Sequence, residues 1–325
     1  MFDDPKVHPS GEDSAAPSVR QAFIDESWMT DAETAMKATL DGEVLGTIIA
    51  RPGFRDLLRP WVEAWRVGEG DSAILATTMR DLGRFVVGVW ALYLEATPGG
   101  LSRGRLGELL AESGFSGAGR AASVLLFLRF LGFIETAPDL SDGRTTRYRA
   151  TERMRKAFRD RFRRDLASLA AADPVIARMS RALEDPAAFR AYAAAMGGHL
   201  RLAMQRLGPN DDALDVFSQR YGGMALLAEL MLSAPEEEAF PPRGPLKAKV
   251  ADLARRAMIS RVQVRGILKA GEAASFLELA ADNSCRLTAR LAEHVDLLTA
   301  GCLVISAYAS RQATLAMDAQ TAKAG

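Results

Sequence analysis

The feature that most limits what this chain can fold into is a likeness between its two halves. Leu101 to Glu135 reads LSRGRLGELLAESGFSGAGRAASVLLFLRFLGFIE, and Leu246 to Glu278 reads LKAKVADLARRAMISRVQVRGILKAGEAASFLE. Each stretch has a short amphipathic helix pattern, a break, a second helix pattern and a short apolar run ending in Glu. The likeness continues downstream, where Arg149-Ala150-Thr151-Glu152-Arg153 parallels Arg286-Leu287-Thr288-Ala289-Arg290 and a long helical pattern follows each. Upstream, Pro52-Gly53-Phe54-Arg55 is similar to Pro186-Ala187-Ala188-Phe189-Arg190. A unit of roughly 130 residues is longer than a solenoid repeat. A duplicated domain is therefore expected, with its boundary near Asp173-Pro174. The expected domains are 21–172 and 173–317, between an acidic disordered tail at 1–20 and a short tail at 318–325.

Helix spans follow from apolar spacing and capping residues. Thr30 with Glu33 forms a capping-box pattern that opens a helix to about Ala50. Further helices are expected near Phe54 to Trp65, Ile74 to Glu95, Ser102 to Glu112, Gly117 to Leu131 and Thr151 to Ala171. In the second half they fall near Val175 to Leu183, Ala187 to Leu207, Ala213 to Leu232, Leu246 to Arg256, Arg261 to Ala270 and Thr288 to Ala316. Strand-favouring runs are few, so the expected fold is mainly α with small β hairpins. The 325 residues, 48% hydrophobic and 25% charged, suit about two soluble globular domains. Cys285 and Cys302 lack the spacing of a disulfide framework or zinc site, which points to a reducing cytoplasm. The N-terminal residues lack the apolar segment of a secretory signal. The stretch Phe85 to Leu94 is about half of what a bilayer span needs, so no membrane-crossing helix is expected.

Net charge is zero, but the charge is segregated. Residues 1–72 hold 7 Lys and Arg against 14 Asp and Glu, and residues 166–242 hold 6 against 10. Residues 100–165 hold 14 against 8, and residues 243–312 hold 11 against 6. Two basic blocks at a regular distance imply two copies of one cationic surface.

Inside the first block, Ser113-Gly114-Phe115-Ser116 has the length of a turn between two helices, and Gly114 permits left-handed backbone there. Ala121, Val124, Leu125, Leu128 and Leu131 form an apolar stripe on the second helix, leaving Gly117, Arg120 and Ser123 at its front. Phe133 to Thr136 and Thr146 to Arg149 read as strands flanking Pro138 to Arg144, whose Asp142-Gly143 is a turn signal. This order of helix, turn, helix and hairpin, followed by RYRATERMRKAF, resembles the winged helix-turn-helix regulators, nearest to the MarR type, in a tandem, internally duplicated form. The resemblance covers about residues 74–170 and, less closely, about 213–310. It implies two winged helix-turn-helix modules embedded in helical domains, and double-stranded DNA as the partner. It implies that Ser116, Gly117, Arg120 and Ser123 lie on one recognition helix, with Arg144, Arg147 and Arg149 on its wing. The matching positions in the second half are Ser260, Arg261, Gln263 and Arg265, with Lys269 continuing the row. Arg pairs bidentately with guanine and Gln with adenine. The second wing, Ala280 to Ser284, is shorter and has no basic tip. The one chain supplies both halves of a pseudo-dimer, so a monomer is expected over a homodimer.

Other readings of the same residues stay open. Winged helices also serve as protein-interaction modules, for which Phe127 and Phe130 would be anchors if exposed. Arg153, Arg155, Lys156, Arg159, Arg161, Arg163 and Arg164 are either a solvated helix face or phosphate contacts. Trp61, Trp65, Trp90 and Tyr93 either pack as core or line a cleft for a small aromatic effector, which related regulators often bind. No enzyme is expected. Gly100-Leu101-Ser102-Arg103-Gly104 matches a nucleophile elbow but lacks the preceding strand, and Ser102 reads better as a helix cap. Gly117-Ala118-Gly119 likewise has no strand before it. His8, His199 and His294 are scattered, and no metal or cofactor is expected.

Overall fold

The computed structural model describes Ile24 and residues 31–66, 82–113, 118–137, 145–207, 216–218, 220–281 and 284–324. The N-terminal tail, Thr30, Ser116, Gly117 and Arg144 lie outside the described residues, as do Asp282 and Asn283. The backbone of Arg120 is described as helix, its side chain is not.

The fold is mainly helical with two small antiparallel sheets. The first helical segment is divided. Asp31 caps α1 (Ala32–Thr39) by accepting from Thr34 N, and Asp41 caps α2 (Gly42–Ile49) by accepting from Glu43 N. A single helix to Ala50 is thus corrected to two, because the Asp41 carboxylate offers the backbone a fresh N-cap in mid-pattern. Helix α3 (Phe54–Ala64) then leads, across residues outside the described set, to α4 (Leu82–Ala96).

From there the chain forms a motif of fixed order. Strand β1 (Leu101–Ser102) is followed by α5 (Arg103–Glu112), α6 (Ala118–Phe130), β2 (Ile134–Thr136), β3 (Arg147–Ala150) and α7 (Glu152–Leu169). The strand order is β1-β3-β2, with Leu101 opposite Tyr148 and Ile134 opposite Ala150. Helices α8 (Pro174–Ala182), α9 (Pro186–Leu207) and α10 (Gly223–Met231) connect to a second run. There α11 (Val250–Ala257), α12 (Arg261–Ala273), β4 (Leu277–Leu279), β5 (Cys285–Leu287) and α13 (Ala289–Ala324) repeat the order. Leu246 and Cys285 exchange backbone hydrogen bonds of 2.7 and 3.0 Å, where β1 pairs with β3 in the first run. Leu246 therefore begins a strand-like contact and not a helix, which starts four residues later.

The joints of the two runs use the same bonds. Thr151 Oγ1 donates to the carbonyls of Gly132 and Phe133 at 2.7 and 3.1 Å, and Thr288 Oγ1 to those of Ser275 and Phe276 at 2.9 and 3.2 Å. Each hydroxyl also accepts from a backbone N–H of its following helix, that of Met154 at 3.4 Å and of Leu291 at 3.3 Å. Gly132 and Ser275, the residues ending the preceding helices, have φ of 67° and 59°. Arg153 lies over the Phe133 ring and Arg290 over the Phe276 ring, at 5.9 and 4.7 Å from the centroids.

Helix α9 packs against both α4 and α13. Gly197 permits the crossing of α4 and α9, because a Cβ there would stand 2.3 Å from Cβ of Tyr93. A ring cluster of Phe85, Phe158, Phe162, Phe189 and Tyr192 joins α4, α7 and α9. Bringing such rings together contributes about 0.5–1.5 kcal/mol per pair beyond area burial. The N-terminal helices are tied to the second half through buried acids: Arg55 to Asp296 at 2.6 Å, and Arg66 to Glu229 through two bonds of 2.7 and 2.9 Å. Hydrogen bonding to Glu229 holds the Arg66 guanidinium above its ordinary pKa.

Helix α13 runs to Ala324, so residues 318–324 continue a helix where a tail was expected. Its segment Ala289–Gln320 is long and apolar enough to cross a membrane by composition, but 67% of that window is buried inside the fold. Among the described residues it is the one such helix, and it packs as core.

Candidate nucleic-acid interface

The turn between α11 and α12 is built by local backbone chemistry. Met258 ends α11 in the left-handed region with φ 53°, the position at which Gly114 was expected to turn in the first half. Gly114 itself lies outside the described residues. Ser260 then caps α12 in a full capping box: its hydroxyl accepts from Gln263 N at 3.1 Å, and Gln263 Oε1 accepts from Ser260 N at 2.9 Å. The turn is held against α10 because Ile259 packs on Gly222, where a Cβ would meet its methyl at 2.4 Å. Gly222 has φ 73°, so both its conformation and its bareness are used.

Helix α12 buries Val264, Ile267 and Gly271 and turns its other side outward. Arg261, Val262, Gln263, Arg265 and Lys269 are all exposed. Arg261, Arg265 and Lys269 recur every four residues and so share a face. None of the three has an ion pair or hydrogen bond from its side chain among the described residues. Arg256 on α11 and Lys247 and Lys249 in the loop before it are also exposed, and they too make no ion pair with a described residue. These three were missed in the sequence, as was Val262, which keeps 76% of its surface exposed on the front of the helix. The signal was present, since the four lie in the basic block, but their exposure needed the structure.

The first half presents a different surface. Ser123 and Arg129 are exposed on α6, and so are the hydrophobic side chains of Leu126 at 67% and Phe130 at 84%. Phe127 is half-buried, and Arg84 lies 4.6 Å above its ring and 5.5 Å from the ring of Tyr221 in the second half. On the hairpin, Arg147 is half-buried and Arg149 stands 3.8 Å from its cross-strand neighbour Glu135. The basic run on α7 is largely paired inside the protein. Arg155 bonds Glu95 at 2.7 Å, Lys156 bonds Asp160 at 2.8 Å, Arg159 meets Glu152 at 3.3 Å, Arg161 bonds Asp165 at 2.9 Å, and Arg163 reaches Glu184.

Of the four aromatic residues read either as core or as the lining of a cleft, Trp61 and Trp65 line a cavity of about 150 Å³ together with Arg161 and Asp165. Trp90 and Tyr93 do not. Trp90 is fully buried on another side of α4, and Tyr93 packs against Gly197 and borders a separate depression. Ser102 is the cap of α5, accepting from Arg105 N at 3.4 Å. No group of three His, Cys, Asp or Glu side chains converges among the described residues. No protein-family model, curated protein or solved structure matches the chain.

Proposed function

We propose that the protein is a double-stranded DNA-binding regulator built from two winged helix-turn-helix modules of one duplicated chain. The observation that carries the reading is the row Arg261, Arg265 and Lys269, exposed on the second helix of a two-helix turn and unpaired among the described residues. Long cations of this kind, on a face with Val262, are chemically suited to phosphates, guanine edges and thymine methyl groups. Gln263 retains its amide NH₂ for a base although its oxygen serves the capping box. The duplication is supported by the repeated element order and by the matched bonds of Thr151 and Thr288. In this reading the two modules form a pseudo-dimer and the protein is a cytoplasmic monomer.

The test is fluorescence anisotropy of the full chain with labelled random and genomic fragments over a salt series. Binding should weaken with a log-log slope of about −0.9 per phosphate contacted, with some genomic fragments retained above random ones. Absence of binding at low salt sinks the proposal. A second reading, docking of a protein partner, is favoured by one observation: Phe130 and Leu126 stand exposed at the end of α6. Light scattering across dilution checks the monomer, and a stable dimer would move those two residues to a self-association surface.

A further inference from the structure

The cavity between α3, α4, α7, α9 and α13 has a polar end that the DNA reading does not use. Arg161 lies on α7 and donates through Nε to both oxygens of Asp165, each at 2.9 Å. The guanidinium carbon sits 5.2 Å from the centre of the Phe85 ring. Its two Nη groups make no hydrogen bond among the described residues, and they belong to a side chain only 11% exposed. Arg161 lines the cavity, so these donors are available to an acceptor placed there. The Asp165 carboxylate accepts only from Arg161 among the described residues and keeps lone pairs unused. Tyr192 and Ser306 also line the cavity. Trp61 and Trp65 line the same cavity, edge to face with centroids 4.5 Å apart. A cavity near 150 Å³ is the size that holds a benzene ring.

We propose that this cavity binds an uncharged, single-ring molecule bearing an amide or equivalent group. Its carbonyl oxygen accepts from the Arg161 Nη groups and its N–H donates to Asp165, while the ring lies against Trp61, Trp65 and Phe85. The lack of net charge follows from the site. Arg161 and Asp165 already neutralise each other, so a carboxylate ligand would place a second negative charge beside Asp165 in a poorly solvated space. Burial already pushes the Asp165 carboxyl above its usual range despite Arg161. This inference stands apart from the DNA reading, because its test measures small-molecule binding alone.

The experiment titrates the unaltered full chain with benzamide, benzoate and toluene, followed by calorimetry and by tryptophan fluorescence. Benzamide should saturate with a Kd on the order of 1 mM or tighter, and benzoate and toluene should each bind at least about tenfold more weakly. Equal or tighter binding of benzoate overturns the neutral-ligand assignment. Equal binding of toluene overturns the use of the polar end, and no binding of benzamide up to about 10 mM overturns the site. Asp165→Asn keeps the shape and leaves Arg161 unneutralised, so the preference should reverse towards benzoate. An unchanged preference in a folded Asp165→Asn protein would also overturn the proposal. If that variant does not fold, the measurements on the unaltered chain still decide it.

Discussion

Helix α6 ends with Leu126 and Phe130 open to solvent, whereas α12, at the same place in the second run, presents Arg261, Arg265 and Lys269. Behind these faces the two runs are joined alike, down to a threonine hydroxyl serving two carbonyls and an arginine lying over a phenylalanine ring. The difference shows which positions the fold constrains. Thr151, Phe133 and their counterparts close backbone bonds and fill the core, so a change there alters stability. The outward positions of α6 and α12 close nothing, and their chemistry is free to diverge. One surface is suited to an apolar contact, the other to a polyanion.

The largest effect is expected from the outward face of the second run. Arg261→Ala with Arg265→Ala should relax preference at particular base pairs, at about 1–3 kcal/mol for each bidentate arginine–base pairing removed. Replacing Arg144 and Arg147 should instead weaken all sequences alike, lowering the salt slope by roughly one unit for every phosphate no longer neutralised. Anisotropy with selected and random fragments separates the two outcomes. The reverse pattern would mean that the first run reads bases.

A perturbation of the shared centre should not distinguish the runs. His199, on α9, is 4% exposed, and desolvation lowers its pKa from 6.5 to about 4. The unfolded chain then binds the proton more readily, so stability is present above about pH 6.5 and declines as pH falls towards 4, by up to about 3 kcal/mol. Urea midpoints between pH 7 and pH 4.5 measure it, and His199→Gln should flatten the curve. Two separate transitions on acidification, one per run, would break the idea of a common core.

Smaller and matched losses are expected at the joints. Thr151→Val and Thr288→Val should each destabilise by about 1 kcal/mol, the usual cost of removing an N-cap. Denaturant titration that finds one strongly destabilising and the other neutral would show that the equivalence is only geometric. The smallest effect on folding belongs to Phe130→Ser with Leu126→Ser, within about 0.5 kcal/mol because both are exposed. Unchanged DNA binding by that variant together with failure to hold a protein partner would give the two runs separate duties.

Much of this frame was legible in the sequence because it depends on local chemistry. Ser102 and Thr151 were readable as helix starts, and each caps the helix that follows it, whereas Ser260, read as a recognition position, turns out to be the cap of α12. The hairpin strands fall where the flanking residues place them. What could not be read was set by tertiary partners. Strand β1 is two residues long, too short for an alternation signal, and exists because β3 lies beside it. The α7 cations looked free until Glu95 and Glu184, distant in sequence, supplied their partners. Trp61 and Trp65 could be named as cavity residues, but the choice between them and Trp90 depended on which side of α4 faced α9.

Helix α13 gives the second run a mechanical property that the first lacks. At 36 residues it is about 54 Å long. Its start is fastened to the second hairpin by Thr288, and farther along Tyr308 meets Thr39 at 3.0 Å and Arg311 meets buried Asp173 at 2.8 Å. From Arg311 back to Thr288 is about 35 Å at 1.5 Å per residue. The stretch between is buried along most of its length, with Leu291, Val295, Leu303, Val304 and Tyr308 all in the core, so the second hairpin is tied to the region of Asp173 through one continuous packed helix.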